Sequence, residues 1–319
     1  MSRLSNPKQK IIVILGPTAS GKSDLCVKIA LRLGSGQTSK KSARSGSALD
    51  WNGAEIISAD SRQIYKGMDI GTGKITQKEM GDIPHHLLDV VNPKTKFDIV
   101  KYKKLAYRAI EDILYHKKIP IICGGTGFYI QAIVDNIIFP EVKSNNKLRK
   151  KLEKQPIEKL LQMLKKLDNE RLKTVDQKNK RRVIRAVEIA TILGKVPKLE
   201  SNPKYDSLQI GIAINREKLK KNIKKRLEKR LKQGLITEVK KLHQQGVSWR
   251  KLIEFGLEYK FVTLYLRGKI TKKQMTNQLE KSIWQYAKRQ ITWFKRDKRI
   301  KWVADQKEGE KLIKIFLKI

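Results

Sequence analysis

The residues with the clearest chemical capacity are Gly16-Pro17-Thr18-Ala19-Ser20-Gly21-Lys22-Ser23, which satisfy G-x-x-x-x-G-K-[ST] in full. A β-branched run, Ile11-Ile12-Val13-Ile14-Leu15, precedes them, and a helical pattern over 22–33 follows. In that setting backbone N–H groups converge on a phosphate, and the helix N-terminus adds its positive dipole end. Lys22 would neutralise a diphosphate, and the Ser23 hydroxyl would serve Mg²⁺. The motif specifies a phosphate chain rather than ATP. A kinase, an ATPase and a transferase that expels diphosphate all fit it.

Asp60-Ser61-Arg62-Gln63-Ile64-Tyr65 follows a second apolar run, Glu55-Ile56-Ile57-Ser58, which sets Asp60 at the edge of a sheet facing the phosphate loop. A carboxylate there can hold Mg²⁺ through water or act as a general base, and it can equally cap the next backbone segment. Gly124-Gly125-Thr126-Gly127 closes a third run, where Thr126 can cap a helix or touch a ligand. Arg181, Arg182 and Arg185 lie close together on a helical stretch and suit phosphate or base contacts, or plain solvation. His85 and His86, after Pro84, have no acid or cysteine at ligand spacing and read as loop or core packing. Cys26 and Cys123 lack such spacing too, and read as small core residues of a protein kept in a reducing compartment.

The elements that must position these groups follow from periodicity. Apolar runs at 11–15, 55–58, 119–123 and 208–214 alternate with helical patterns, which predicts an α/β fold with a doubly wound parallel sheet. In such sheets ligands sit at the carboxyl ends of the strands. The stretch 97–117 places Ile99, Tyr102, Leu105, Ala106, Ile110 and Ile113 on one helical side. Residues 34–53 are rich in Gly, Ser and Lys without periodicity, which predicts a flexible surface insertion. After Pro140 the chain is helical and charged to about residue 198. The expected organisation is a catalytic core over 8–140 and 205–319, interrupted by a small all-helical insertion over 141–200. Within 218–232, Leu219, Ile223, Leu227 and Leu231 recur four apart in an otherwise cationic segment, so one stripe is buried.

Composition narrows the partners. The 319 residues are 39% hydrophobic, enough for a real core, and no apolar run approaches a membrane span. The basic start leads into an apolar stretch broken at once by Gly16 and Pro17, a buried strand rather than a signal peptide. A cytoplasmic monomer is expected. Lys and Arg number 71 against 31 Asp and Glu, a formal charge of +40. Such a field attracts nucleic acid through counterion release, although lysines merely decorating solvent faces give the same sum.

The motifs, in order, resemble those of the tRNA dimethylallyltransferases. The resemblance runs through the phosphate loop, Ser58-Ala59-Asp60-Ser61-Arg62-Gln63-Ile64-Tyr65, Asp69-Ile70-Gly71-Thr72 and Pro84-His85-His86-Leu87. It continues through Gly124-Gly125-Thr126-Gly127-Phe128-Tyr129, the segment 181–188 and Lys288-Arg289-Gln290-Ile291-Thr292-Trp293. It implies transfer of a dimethylallyl group from dimethylallyl diphosphate to N6 of adenosine 37, in tRNAs reading codons that begin with U. The fold it implies is a P-loop NTPase-like sheet flanked by helices, with a helical insertion that closes on the anticodon stem-loop, and Mg²⁺ as cofactor. Asp60 matches the general base, and Asp60, Ser61, Arg62 and Gln63 match the contact with the flipped base. Thr126, Arg149, Arg181, Arg182, Val183, Ile184 and Arg185 match tRNA contacts, and Arg226 matches an arginine facing the diphosphate. This sequence departs from the family's pattern in the long 34–53 connection, in Gly256-Leu257-Glu258-Tyr259 and in Gly73. A nucleotide kinase, a transferase acting on free adenylate and a non-enzymatic RNA-binding protein remain the competing classes. The donor, the acceptor and an intact Asp60 discriminate them.

Overall fold

The computed structural model describes residues 8–34 and 51–318. The 34–53 connection therefore lies, for residues 35–50, outside the described residues. The chain falls into two units, 1–136 with 203–319, and Ile137–Asn202.

The first unit opens with β1 (Lys10–Leu15), α1 (Lys22–Gly34), β2 (Ala54–Ser58), the short α2 (Gln77–Met80), β3 (His85–His86), α3 (Ile99–Tyr115), β4 (Ile119–Gly124) and α4 (Gly127–Val134). The second unit holds α5 (Asn146–Glu153), α6 (Ile157–Leu167), α7 (Asn169–Thr174) and α8 (Lys180–Leu193). The chain returns to the first unit with β5 (Asp206–Ile212), α9 (Arg216–Lys232), α10 (Leu235–Gln244), α11 (Trp249–Phe255), α12 (Leu257–Leu266), α13 (Lys272–Phe294), β6 (Lys301–Val303) and α14 (Gln306–Leu317).

The six strands form one sheet in the order β3-β2-β4-β1-β5-β6, and every pairing is parallel. The expected parallel α/β sheet is therefore present. Along β1, Ile11, Val13 and Leu15 enter one hydrophobic cluster while Ile12 and Ile14 enter another. That alternation is what a central strand covered on both faces requires. Leu25, Ile29 and Leu33 of α1 and Ile313 and Leu317 of α14 pack the second face; α3 and α9 to α13 pack the first.

Caps set the helix starts. The Asp98 side chain accepts from the Lys101 amide at 3.0 Å, so α3 starts at Ile99 rather than at Phe97. The Asn215 side chain accepts from Glu217 N at 2.8 Å and opens α9, after β5 has ended at Ile212. His85 and His86, expected in a loop or in the core, form the edge strand β3 against Ile56 and Ile57. The His86 Nε2 lies 2.6 Å from Glu55, which Lys118 also reaches at 2.7 Å.

Candidate active site

One end of the site is built where β1 turns into α1. Ala19 and Gly21 hold positive φ values of 62° and 89°, the backbone needed to curl the loop around an anion. The α9 helix crosses over this loop. Asn222 Nδ2 donates to the Ala19 carbonyl at 3.1 Å, and one turn later Arg226 donates to Thr18 Oγ1 at 3.3 Å and to the Gly73 carbonyl at 3.2 Å. Both Arg226 partners are neutral. Burial, with Arg230 adding its repulsion, pushes the Arg226 pKa down to about 10. Burial also lowers the pKa of Lys22, whose ammonium donates to the Pro17 carbonyl at 3.3 Å. Among the described residues neither cation has a carboxylate at ion-pair distance, and Asp60 acts on both only from further off, an arrangement suited to a polyanion.

The other end is built by Asp60, just past β2. Its Oδ1 accepts from the amides of Arg62 at 2.8 Å and Gln63 at 3.4 Å. One oxygen thus caps the turn, and Oδ2 has no hydrogen-bond partner among the described residues. The capping reading of this carboxylate therefore holds, and a cap made with one oxygen leaves the other available. Thr126 does not cap α4; its Oγ1 accepts from the Ser61 amide at 3.1 Å, and its own amide donates to the Ala59 carbonyl at 3.2 Å. A Cβ at Gly124 would fall 2.3 Å from the Ala59 carbonyl oxygen, so only glycine lets β4 approach the Asp60 turn this closely. Gln63 bonds Ser58 and the Gly73 carbonyl, both at 3.2 Å. Arg62 donates to the Phe255 carbonyl at 2.9 Å and lies over its ring.

A third wall is the loop over 69–73. The Glu238 carboxylate accepts from three successive amides, Asp69 at 2.9 Å, Ile70 at 2.6 Å and Gly71 at 3.0 Å, and from the Tyr259 hydroxyl at 2.8 Å. A Cβ at Gly71 would sit 2.6 Å from the Tyr259 ring. Arg230 pairs with the buried Glu258 at 2.6 Å and donates to the Gly71 carbonyl at 3.2 Å. The segment Gly256-Leu257-Glu258-Tyr259 therefore braces the 69–73 loop and itself lines the cleft. Gly73 has φ +59°, and a Cβ there would strike the Arg226 and Arg230 side chains.

Together these walls enclose a cleft of about 670 Å³ lined by Thr18, Lys22, Ser23, Asp60, Arg226 and Tyr286. The Ser20 hydroxyl is buried without a partner among the described residues. Among the described residues no cluster of three or more His, Cys, Asp or Glu could cage a metal ion. Mg²⁺ does not need such a cage, because it keeps waters and binds largely through phosphate oxygens. A single hydroxyl, Ser23, beside a phosphate cradle fits that habit.

The IPP transferase family model matches residues 63–297 of the chain. The chain belongs to that family. It is 42% identical over 296 residues to "tRNA dimethylallyltransferase 1" of Syntrophus aciditrophicus, covering 91% of both chains. The "tRNA dimethylallyltransferase" of Halothermothrix orenii is 39% identical, with 92% of this chain and 86% of that one covered. The crystal structure of the tRNA isopentenylpyrophosphate transferase of Bacillus halodurans superposes with a TM-score of 0.69 at 31% identity, over 97% and 96% of the two chains. A eukaryotic dimethylallyltransferase solved acting on tRNA gives a TM-score of 0.73 at 26% identity, over 89% of this chain and 69% of that one. The fold of this IPP transferase family member is therefore that of the tRNA-modifying transferases.

The family's remaining expected residues lie on the helical unit, and their environments differ sharply. Arg181 and Arg182 are exposed, Arg182 within 3.4 Å of Asp176. Val183 and Ile184 point into the core of that unit with Leu160 and Leu164, so their side chains pack rather than meet a ligand. Arg149 and Arg185 both bind the fully buried Glu188. Gln290, Tyr259 and Tyr286, which line the cleft of the core unit, and Glu238, which holds its 69–71 wall, were not found by sequence reasoning about chemistry. Gln290 and Tyr259 lay in segments that reasoning quoted.

Proposed function

We propose that this IPP transferase moves a dimethylallyl group from dimethylallyl diphosphate to N6 of adenosine 37 in tRNAs that read codons beginning with U. The observation that carries the reading is one cleft with two cations, Lys22 and Arg226, that have no ion-pair partner among the described residues, and a carboxylate, Asp60, with one oxygen free of hydrogen bonds among those residues, lining the same cavity. In the reaction the C–O bond of the donor breaks, its carbon bonds to N6, and diphosphate leaves with the electron pair. The N6 proton passes to Asp60 Oδ2. Adenine N6 is a poor nucleophile because its lone pair is delocalised into the ring, so a positioned base counts. Loop amides, Lys22 and Arg226 stabilise the charge that develops on the leaving group. Mg²⁺, held by Ser23 and the diphosphate oxygens, would supply further neutralisation of that charge. Ser61, Arg62, Gln63 and Thr126 line or shape the base end, which the adenine enters by flipping out of the anticodon loop. On the helical unit, Arg181 and Arg182 are the exposed cations that suit backbone phosphates. We expect the protein to act as a cytoplasmic monomer.

The test supplies Mg²⁺, labelled dimethylallyl diphosphate and unmodified tRNA carrying A36-A37-A38, followed by nuclease digestion. Isopentenyladenosine is the expected product. Transfer to AMP alone, or phosphorylation from ATP without transfer to tRNA, would overturn the reading.

A further inference from the structure

The motif Lys288-Arg289-Gln290-Ile291-Thr292-Trp293 contains a side chain that the reaction above leaves without a role. Gln290, on α13, is only 6% exposed. Its Oε1 accepts from the Thr18 amide at 2.8 Å, and its Nε2 donates to the Gly125 carbonyl at 2.8 Å. The site is fitted to it, since a Cβ at Gly125 would lie 2.3 Å from Nε2.

The two partners belong to adjacent turns, since a Cβ on Gly125 would lie 3.4 Å from the Gly16 carbonyl oxygen, but each turn leads to a different wall of the cleft. Thr18 stands in the phosphate loop, where its hydroxyl also receives Arg226. With its N–H given to Gln290, Thr18 is withdrawn from the donors the loop can offer an anion. Gly125 precedes Thr126, whose hydroxyl holds the Ser61 amide next to Asp60. We propose that Gln290 is a positioning residue that fixes the diphosphate cradle and the Asp60 turn at one separation, so that the leaving group and the base stand on either side of the reacting carbon and N6. The inference rests on the function proposed above. It needs no contact between Gln290 and either substrate.

A buried amide with both of its polar atoms engaged costs about tenfold in an equilibrium or rate when it is removed and its partners are orphaned. Gln290→Leu removes both bonds at similar volume. The expected result is a Kd for inorganic diphosphate, read by calorimetry, weakened about tenfold, together with a single-turnover transfer rate at saturating donor slowed about tenfold or more. The Kd for tRNA stays within about twofold. Thr126→Val, which loosens only the Asp60 side, slows transfer and leaves diphosphate affinity intact. If Gln290→Leu fails to fold, Gln290→Asn, which retracts the amide by one methylene, carries the same readouts. A variant with a lower melting temperature but wild-type diphosphate affinity and transfer rate would show a merely structural glutamine. Weakened diphosphate binding with an unchanged rate at saturating donor would confine Gln290 to the cradle and overturn the coupling. Should the wild-type protein transfer no prenyl group at all, the function falls first; the diphosphate arm then still decides whether Gln290 sets the loop.

Discussion

Arg226 in the cleft and Arg149 and Arg185 in the helical unit are all partly buried arginines, but they are held by opposite chemistry. Arg149 and Arg185 converge on Glu188, whose carboxylate also accepts from the Asn145 amide at 2.6 Å. Their charge is spent inside the unit. Arg226 is held by a hydroxyl and a carbonyl, with no carboxylate at ion-pair distance among the described residues. The next turn of the same helix makes the contrast sharper, since Arg230 has its own carboxylate in Glu258. A motif can supply an arginine in either environment. What separates an anion site from a structural clamp is the carboxylate beside it, and that carboxylate is usually remote in sequence.

The comparison breaks most visibly at the two unneutralised charges. Asp60→Asn keeps an acceptor for the Arg62 and Gln63 amides, so the turn survives while the base is lost. The transfer rate should fall about 10²–10⁴-fold. Filter binding should find tRNA affinity nearly unchanged; an equal loss of both would make Asp60 a binding residue. Arg226→Gln should lower kcat/KM for dimethylallyl diphosphate about 10²–10³-fold, the scale of one lost charge-stabilising donor. A loss under about fivefold would mean that the guanidinium only braces Thr18 and Gly73. A gentler version uses pH. Because the Arg226 pKa is depressed to about 10, its charge is lost as pH rises through that value instead of well above it. KM for the donor should therefore climb about fourfold between pH 8.5 and 10.5 in the wild type. Bound diphosphate pushes the pKa back up, so kcat should respond less. Arg226→Gln should show a flatter profile, set by Lys22 alone.

The phosphate loop was legible in the sequence because its geometry is local. Consecutive amides and one helix start do the work, and eight adjacent residues encode both. Asp60 was legible for the same reason, standing at the end of a recognisable strand. Glu238 was not, because the amides it holds lie as far as 169 residues away and a glutamate in an amphipathic helix looks solvated. Gln290 binds a residue 272 positions away, and its presence in a quoted motif was the one available signal. The short strands β3 and β6 exist only through their neighbours in the sheet, so no periodicity of their own announces them. Within 181–185 the sequence showed five residues in a row and could not show which of them turn inward. Helical geometry sends Val183 and Ile184 to the core and leaves Arg181 and Arg182 outside.

The smallest effect on catalysis should come from the clamp itself, and it is a test of stability. Burial alone would raise the Glu188 pKa, but hydrogen bonds from Arg149, Arg185 and the Asn145 amide bring it below its ordinary 4.5. A carboxylate depressed in the folded state contributes stability above its unfolded pKa and loses it as pH falls through the lower folded value. Glu188→Gln turns an NH₂ group toward guanidinium donors, and should destabilise the helical unit by ~2 kcal/mol at pH 7, discounted because both arginines reach solvent. Thermal unfolding followed by circular dichroism at pH 7 should show the deficit. As pH falls from 4.5, where the unfolded chain takes up the proton, through the lower folded value, the two melting curves should converge. Diphosphate affinity should be the same in both proteins at every pH where they are folded. A variant that instead loses diphosphate binding in step with Arg226→Gln would erase the distinction between a clamp and an anion site, because a charge buried in the helical unit would then be acting on the cleft.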